Sequence, residues 1–222
     1  MKKVLMVVLA IAMVFGLAAA QDVNPAIHQG AKSFNFTFAG LGVFGIGPVA
    51  IGPNGPLFGV GASYFLNNDA AVRGGLQLGI KSTSTPSNLA NGGTDGSTSS
   101  FTAGVSADYL MYMNAGRVRP YWGAGINFTT TSFDNKPVDK APYDEQKGGQ
   151  PTTFGLTGIA GAEFFIYSEV SLSAEYQLNI ISISSISDKQ TTFGGTTTTA
   201  KGGSSTNILG FNGGWLTLHI YM

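Results

Sequence analysis

The chain has no cysteine. Disulfides, thiolate metal sites, a cysteine nucleophile and a lipid-modified cysteine at the N-terminus of an exported lipoprotein are therefore excluded. Charge is also scarce. Asp, Glu, Lys and Arg make up 11% of 222 residues, against about 25% in ordinary soluble domains, so something other than water is expected to cover much of the surface. The few charges balance at 12 Lys+Arg and 12 Asp+Glu, leaving none of the basic excess that a nucleic-acid partner requires. Histidine occurs twice, as His28 and His219. Beyond residue 20 no apolar run approaches the roughly 20 residues of a membrane-spanning helix. If the chain lives in a membrane, it must cross as a closed barrel, the other structure that satisfies every backbone group internally.

What is present begins with an export signal. Lys2 and Lys3 precede an uncharged apolar run, Val4 to Leu17, and Ala18-Ala19-Ala20 supplies small residues for cleavage before Gln21. Residues 1–20 are expected to be a signal peptide and 21–222 a single domain.

From residue 33 onward the chain alternates with period two, the signature of strands, and eight segments emerge. Phe34, Phe36 and Phe38 oppose Ser33, Asn35 and Thr37. Phe58, Val60, Ala62 and Tyr64 oppose Gly59, Gly61 and Ser63. Val72, Leu76, Leu78 and Ile80 oppose Arg73, Gly75, Gln77, Gly79 and Lys81. Phe101 to Tyr109 sets Ala103, Val105 and Ala107 against Thr102, Gly104, Ser106 and Asp108. In the second half, Trp122, Ala124, Ile126 and Phe128 oppose Tyr121, Gly123, Gly125 and Asn127. Phe154, Leu156, Ala160, Ala162 and Phe164 oppose Thr157, Ile159, Gly161 and Glu163. Val170, Leu172, Ala174, Tyr176, Leu178 and Ile180 oppose Ser171, Ser173, Glu175, Gln177 and Asn179. Leu216, Leu218, Ile220 and Met222 oppose Trp215, Thr217, His219 and Tyr221. Leu209 and Phe211 have the other parity, which a β-bulge at Gly213-Gly214 would reconcile.

Every charge in these segments, Arg73, Lys81, Asp108, Glu163 and Glu175, lies on the polar face. A cation on the lipid face at mid-bilayer would cost about 2–4 kcal/mol, so the polar face is expected to line the lumen. Links alternate in length. Short turns fall near Asn67-Asn68-Asp69, Asn114-Ala115-Gly116 and Tyr167-Ser168-Glu169, and longer links at about 45–56, 82–100, 131–152 and 183–205. Outer-membrane barrels have short periplasmic turns and long external loops. The expectation is an all-β, eight-stranded antiparallel up-and-down transmembrane barrel in the cell outer membrane, both termini periplasmic. Phe58, Phe101, Phe128 and Phe154 form a belt toward the long loops, and Tyr64, Tyr109, Trp122 and Phe164 one toward the short turns. A soluble eight-stranded barrel would reverse the faces and carry many charges outside.

Three stretches resemble the small outer-membrane β-barrels of the OmpA/OmpX type, within the outer membrane protein β-barrel domain superfamily. They are Ser63-Tyr64-Phe65-Leu66 turning into Ala71–Gly75, Gly161–Phe165 turning into Leu172–Tyr176, and Trp215–Met222. The resemblance implies that Leu216, Leu218, Ile220, Tyr221 and Met222 act as the C-terminal signal for the barrel-assembly machinery. That family usually ends in an aromatic residue, whereas Met222 stands here after Tyr221.

The best-defined constellation is a lumen charge network of Arg73, Lys81, Asp108, Glu163 and Glu175, in which Glu163 and Glu175, flanking one short turn, are expected close together. Gln77, Gln177, Asn179 and His219 complete the polar lining. Eight strands leave an interior barely wide enough for side chains, and unpaired buried charge is costly. The network therefore reads first as a plug, and second as a gate in a small channel for ions or apolar solutes. His219 lies inward at the periplasmic end, whereas a lipid hydrolase would need His, Ser and a carboxylate at the outer lipid-facing rim, so no catalytic, cofactor or metal residues are assigned. Asp134, Asp139, Asp144 and Glu145 lack ordered calcium-loop spacing. The glycines at 40, 42, 45 and 47 do not form a phosphate loop, and Thr196–Thr199 reads as a solvated loop tip. The expected role is non-enzymatic: a plugged barrel held by outer-membrane lipid, with external loops open to surface partners.

Overall fold

The computed structural model describes residues 25–39, 57–87, 95–113, 116–136, 145–148, 150–193 and 196–222. Alternating β-branched and aromatic residues favour extended backbone, and eleven strands form: β1 (Lys32–Ala39), β2 (Leu57–Phe65), β3 (Ala70–Thr85), β4 (Gly96–Tyr112), β5 (Val118–Lys136), β6 (Glu145–Gly148), β7 (Pro151–Tyr167), β8 (Val170–Ile186), β9 (Lys189–Phe193), β10 (Thr196–Ala200) and β11 (Ser204–Tyr221). Eight of them close a ring in the order β1-β2-β3-β4-β5-β7-β8-β11, and β11 pairs back onto β1 from Trp215↔Ala39 to Tyr221↔Ser33. All pairings are antiparallel. Closure removes the sheet edges that hydrocarbon could not satisfy.

The faces sort as the alternation requires. Phe34, Val60, Leu76, Val105, Tyr109, Trp122, Ile126 and Phe128 are exposed, whereas Asp108, Arg119, Glu163, Glu175 and His219 are buried. This inverts the partition of a water-soluble domain and matches a wall whose outer side meets lipid. The two aromatic belts keep their places, Phe58 and Phe101 paired to Leu78 and Ile80 at one level and Tyr64 and Tyr109 paired to Val72 at the other.

Three expectations change. Strands of 16 to 19 residues rise well past the long-loop belt. At a tilt near 40° they give about 40 Å or more of axial height against an apolar band of about 25 Å. Much of the sequence expected as long links is thus wall: Ser82–Thr85, Gly96–Ser100, Thr131–Lys136, Ile183–Ile186 and Ser204–Ser205 are strand. Second, Thr196–Thr199 is not a loose tip. It forms most of β10, a hairpin with β9, which joins β6 and through it β5 in a small sheet beyond the ring. Third, the bulge in β11 falls between Phe211 and Gly213, so Asn212 is the extra residue, just ahead of the expected glycine pair. The expected signal peptide, the glycines at 40–47, the first long link at 45–56, and Asn114, Ala115, Asp139 and Asp144 lie outside the described residues.

The chain ahead of β1 tucks under the short-turn end. Ala26 N–H donates to the Ser168 carbonyl (2.9 Å), Gly30 N–H to the Phe65 carbonyl (2.8 Å) and Gln29 N–H to Asn68 Oδ1 (3.2 Å). Gly30 turns the chain at φ +86°, a conformation glycine adopts without a Cβ penalty. Ile27 and Ala31 are thereby buried with Phe65, Leu110, Tyr112, Tyr121, Phe165 and Tyr221, which fill the short-turn half of the lumen.

Candidate functional site: the lumen

The parity of β3 aims Arg73 inward, directly opposite Asp108 in the β3–β4 register. Its Nε donates to Asp108 Oδ2 at 2.8 Å. Its Nη1 and Nη2 donate to Glu175 Oε2 (2.7 Å) and Oε1 (3.0 Å), a bidentate fork. In the eight-strand ring β3 and β8 stand diametrically opposite, so this one side chain crosses the barrel. Tyr121 OH donates to Glu175 Oε2 (3.0 Å), and Gln177 Nε2 donates to Oε1. Two glycines make the space. A Cβ on Gly125 would collide with the Asp108 carboxylate, and one on Gly161 would lie 2.6 Å from the Tyr121 ring.

Beside this cluster a cavity of about 40 Å³ remains, lined among others by Gln77, Gln177, Trp215 and Thr217. Such a volume holds a water or two. Asn179 sits farther along, its Oδ1 accepting from Thr157 Oγ1 at 3.4 Å, while Thr157 accepts from Asn127 Nδ2 at 2.6 Å. Lys81 is exposed on β3, eight residues and roughly 25 Å beyond Arg73 along the strand, and takes no part in the Arg73 cluster.

Glu163 does not join Arg73. It lies one level nearer the short turns, opposite Ser173, whereas Glu175 lies opposite Gly161. Ser171 Oγ and Tyr221 OH both donate to Glu163 Oε1, so the two glutamates are held by separate partners. The alternation-based segments missed Arg119. It pairs in register with Glu163, is 4% exposed, and donates through Nη2 to the Asn68 carbonyl (2.9 Å), with Asp69 Oδ1 at 3.4 Å. Its guanidinium lies 5.8 Å from the Tyr112 ring centroid. Its place two residues before Tyr121 gives it the inward parity, a signal hidden by Pro120.

His219 is enclosed in a polar chain. An amide oxygen only accepts, so His219 Nδ1–H donates to Asn35 Oδ1 (2.9 Å), and Nε2 accepts from Ser173 Oγ (2.8 Å). Asn35 Nδ2 donates to Ser63 Oγ at 2.7 Å. Serine, imidazole and amide stand in the order of a nucleophile, a base and its orienting group. Ser173 is fully buried, however, and does not border the cavity beside Arg73, so no acyl group can approach its Oγ in this arrangement. The aromatic rings form a second layer: Phe65–Tyr112 at 5.2 Å, Tyr112–Tyr121 at 5.1 Å and Phe165–Tyr221 at 5.4 Å between centroids.

The family model described as "Outer membrane protein beta-barrel domain" matches residues 6–211. Among solved structures, the chain is similar to the attachment invasion locus protein Ail of Yersinia pestis at 15% identity, over 87% of this chain and 99% of that one, with a TM-score of 0.45. It is similar to the outer membrane protein OprG of Pseudomonas aeruginosa at 13% identity, over 89% and 97%, with a TM-score of 0.48. It is also similar to a major outer membrane protein of Thermus thermophilus at 15% identity, over 86% and 99%, with a TM-score of 0.47. No curated protein sequence matches the chain significantly.

Proposed function

The chain belongs to the outer membrane protein β-barrel domain family, and from that premise we propose that it is a non-enzymatic outer-membrane barrel whose lumen is closed and whose long-loop end meets surface partners. Residues 1–20 direct export and are removed. The short turns and both termini face the periplasm, and outer-membrane lipid surrounds the apolar wall. Leu216, Leu218, Ile220, Tyr221 and Met222 present the final strand to the barrel-assembly machinery. The small sheet of β6, β9 and β10 stands on the external side as the surface other molecules meet.

One observation carries the reading: the Arg73–Glu175 fork spans the ring at its full diameter. The cavity of about 40 Å³ beside it and the aromatic layer beneath support it, because a conducting pore needs a continuous aqueous path. The competing reading is a small channel for ions or apolar solutes. Planar-bilayer recording of the purified, refolded protein decides between them for ions. Silent bilayers, with insertion confirmed by protease protection in matched vesicles, are expected; steady single-channel steps would reject the closed lumen. Liposome swelling with small uncharged solutes is expected to match empty vesicles.

A further inference from the structure

At the short-turn rim an open cavity of about 350 Å³ lies where the segment before β1 meets the β2–β3 turn, within the size range of small-molecule sites. It is lined by Gln29, Asn67, Asn68, Asp69, Tyr109 and Met111. The polar half is oriented by its own hydrogen bonds. Asn67 Oδ1 accepts from Asp69 N–H (2.8 Å) and Asn68 Oδ1 from Gln29 N–H (3.2 Å). With both amide oxygens engaged by the protein, each amide nitrogen is left to donate. Asp69 is well exposed, with a side chain 64% accessible, and one of its oxygens lies 3.4 Å from Arg119, which leaves the other to face an incoming cation. The apolar half is Tyr109 and Met111, both exposed on the lipid side of β4. Tyr109 belongs to the short-turn aromatic belt, the level at which hydrocarbon gives way to headgroups.

We infer that this cavity binds the headgroup of a zwitterionic aminophospholipid. The Asn67 and Asn68 amides donate to its phosphate, the Asp69 carboxylate receives its ammonium, and Tyr109 and Met111 flank the start of its acyl chains. An anionic phospholipid offers the same phosphate but no cation for Asp69, so the site discriminates by headgroup charge. The inference rests on the proposed placement of the short-turn end in the periplasmic, phospholipid-containing leaflet. Nothing in it depends on whether the lumen conducts.

The test is native mass spectrometry of the full mature protein in a non-ionic detergent, titrated with dihexanoyl phosphatidylethanolamine or dihexanoyl phosphatidylglycerol. At least fivefold more adduct is expected with the ethanolamine lipid. Asp69→Asn should bring the two lipids to parity. Asn68→Asp keeps the oxygen that accepts from Gln29 but replaces the donor with an anion, and should lower phosphatidylethanolamine binding at least fivefold. Far-UV circular dichroism checks that both variants are folded. Equal adduct with the two lipids on the wild-type protein would overturn the inference, and so would a folded Asp69→Asn variant that keeps the preference. Detergent binding does not depend on which way the barrel faces, whereas protease cleavage of the β9–β10 hairpin on intact cells does, so this site and the proposed orientation fail separately.

Discussion

Arg73 makes its three short hydrogen bonds to two carboxylates beside a cavity of only about 40 Å³. Removing one member leaves the others desolvated and unpaired, which costs about 3–5 kcal/mol in buried pairs. Glu175→Gln should therefore lower the unfolding free energy by about that much, read from urea titrations of the barrel in lipid vesicles. Gly125→Ala acts on the same cluster from β5, the strand next to that of Asp108, by driving a Cβ into the Asp108 carboxylate. An overpacking loss of about 1–3 kcal/mol is expected in the same titration. Ser173→Ala separates a structural hydrogen bond from a catalytic one. It strips His219 Nε2 of its donor and should cost about 1–3 kcal/mol of stability. Phospholipid and lipid-A cleavage assays should give the same background for variant and wild type. A hydrolysis signal present in the wild type and lost in Ser173→Ala would reverse that assignment.

The middles of the strands were readable because each has one greasy and one polar side. Their outer ends were not. In Ser82–Thr85 every residue is exposed, so no alternation marks the strand, and serine and threonine resemble loop composition there. The same holds for β10, four threonines and an alanine with both faces exposed. Inside, period-two alternation puts Arg73, Asp108 and Glu175 on one face, and the Arg73 guanidinium bonds both carboxylates. Alternation gives the face of Glu163 but not its level: the register sets it opposite Ser173, nearer the short turns than Glu175, where Ser171 and Tyr221 bond it. Arg119 is hidden by Pro120, and the aromatic layer is legible only at Tyr121 and Tyr221, because Phe65, Tyr112 and Phe165 fall just past the ends of recognisable alternation. The hairpin offers a check on how separate the elements are. Among the described residues β9 pairs with β6 and β10, and neither is a ring strand. Replacing Lys189–Ala200 with a Gly-Ser linker should leave the urea midpoint of the barrel within experimental error, and a clear drop would show that the small sheet braces the wall.

For the molecule as a whole, the governing fact is which medium each face prefers. Val105 lies on β4 between the belts at Phe101 and Tyr109 and is 50% exposed. Val105→Arg puts a cation into hydrocarbon and should cost about 2–4 kcal/mol. The penalty should be visible in vesicle refolding and should shrink for the same change in Ser84, beyond the outer belt.

The seam between β1 and β11 joins segments some 180 positions apart. Bringing together ends so distant carries a chain-entropy cost that adjacent hairpins avoid. The seven hairpin-type contacts can zip up in succession, but the cylinder is sealed by its least local pair. Until that pair forms, two ragged rows of peptide groups confront oil. A ribosome-stalled or clipped chain lacking either end strand would keep six of the seven hairpin-type pairings and still be unable to reside in the bilayer.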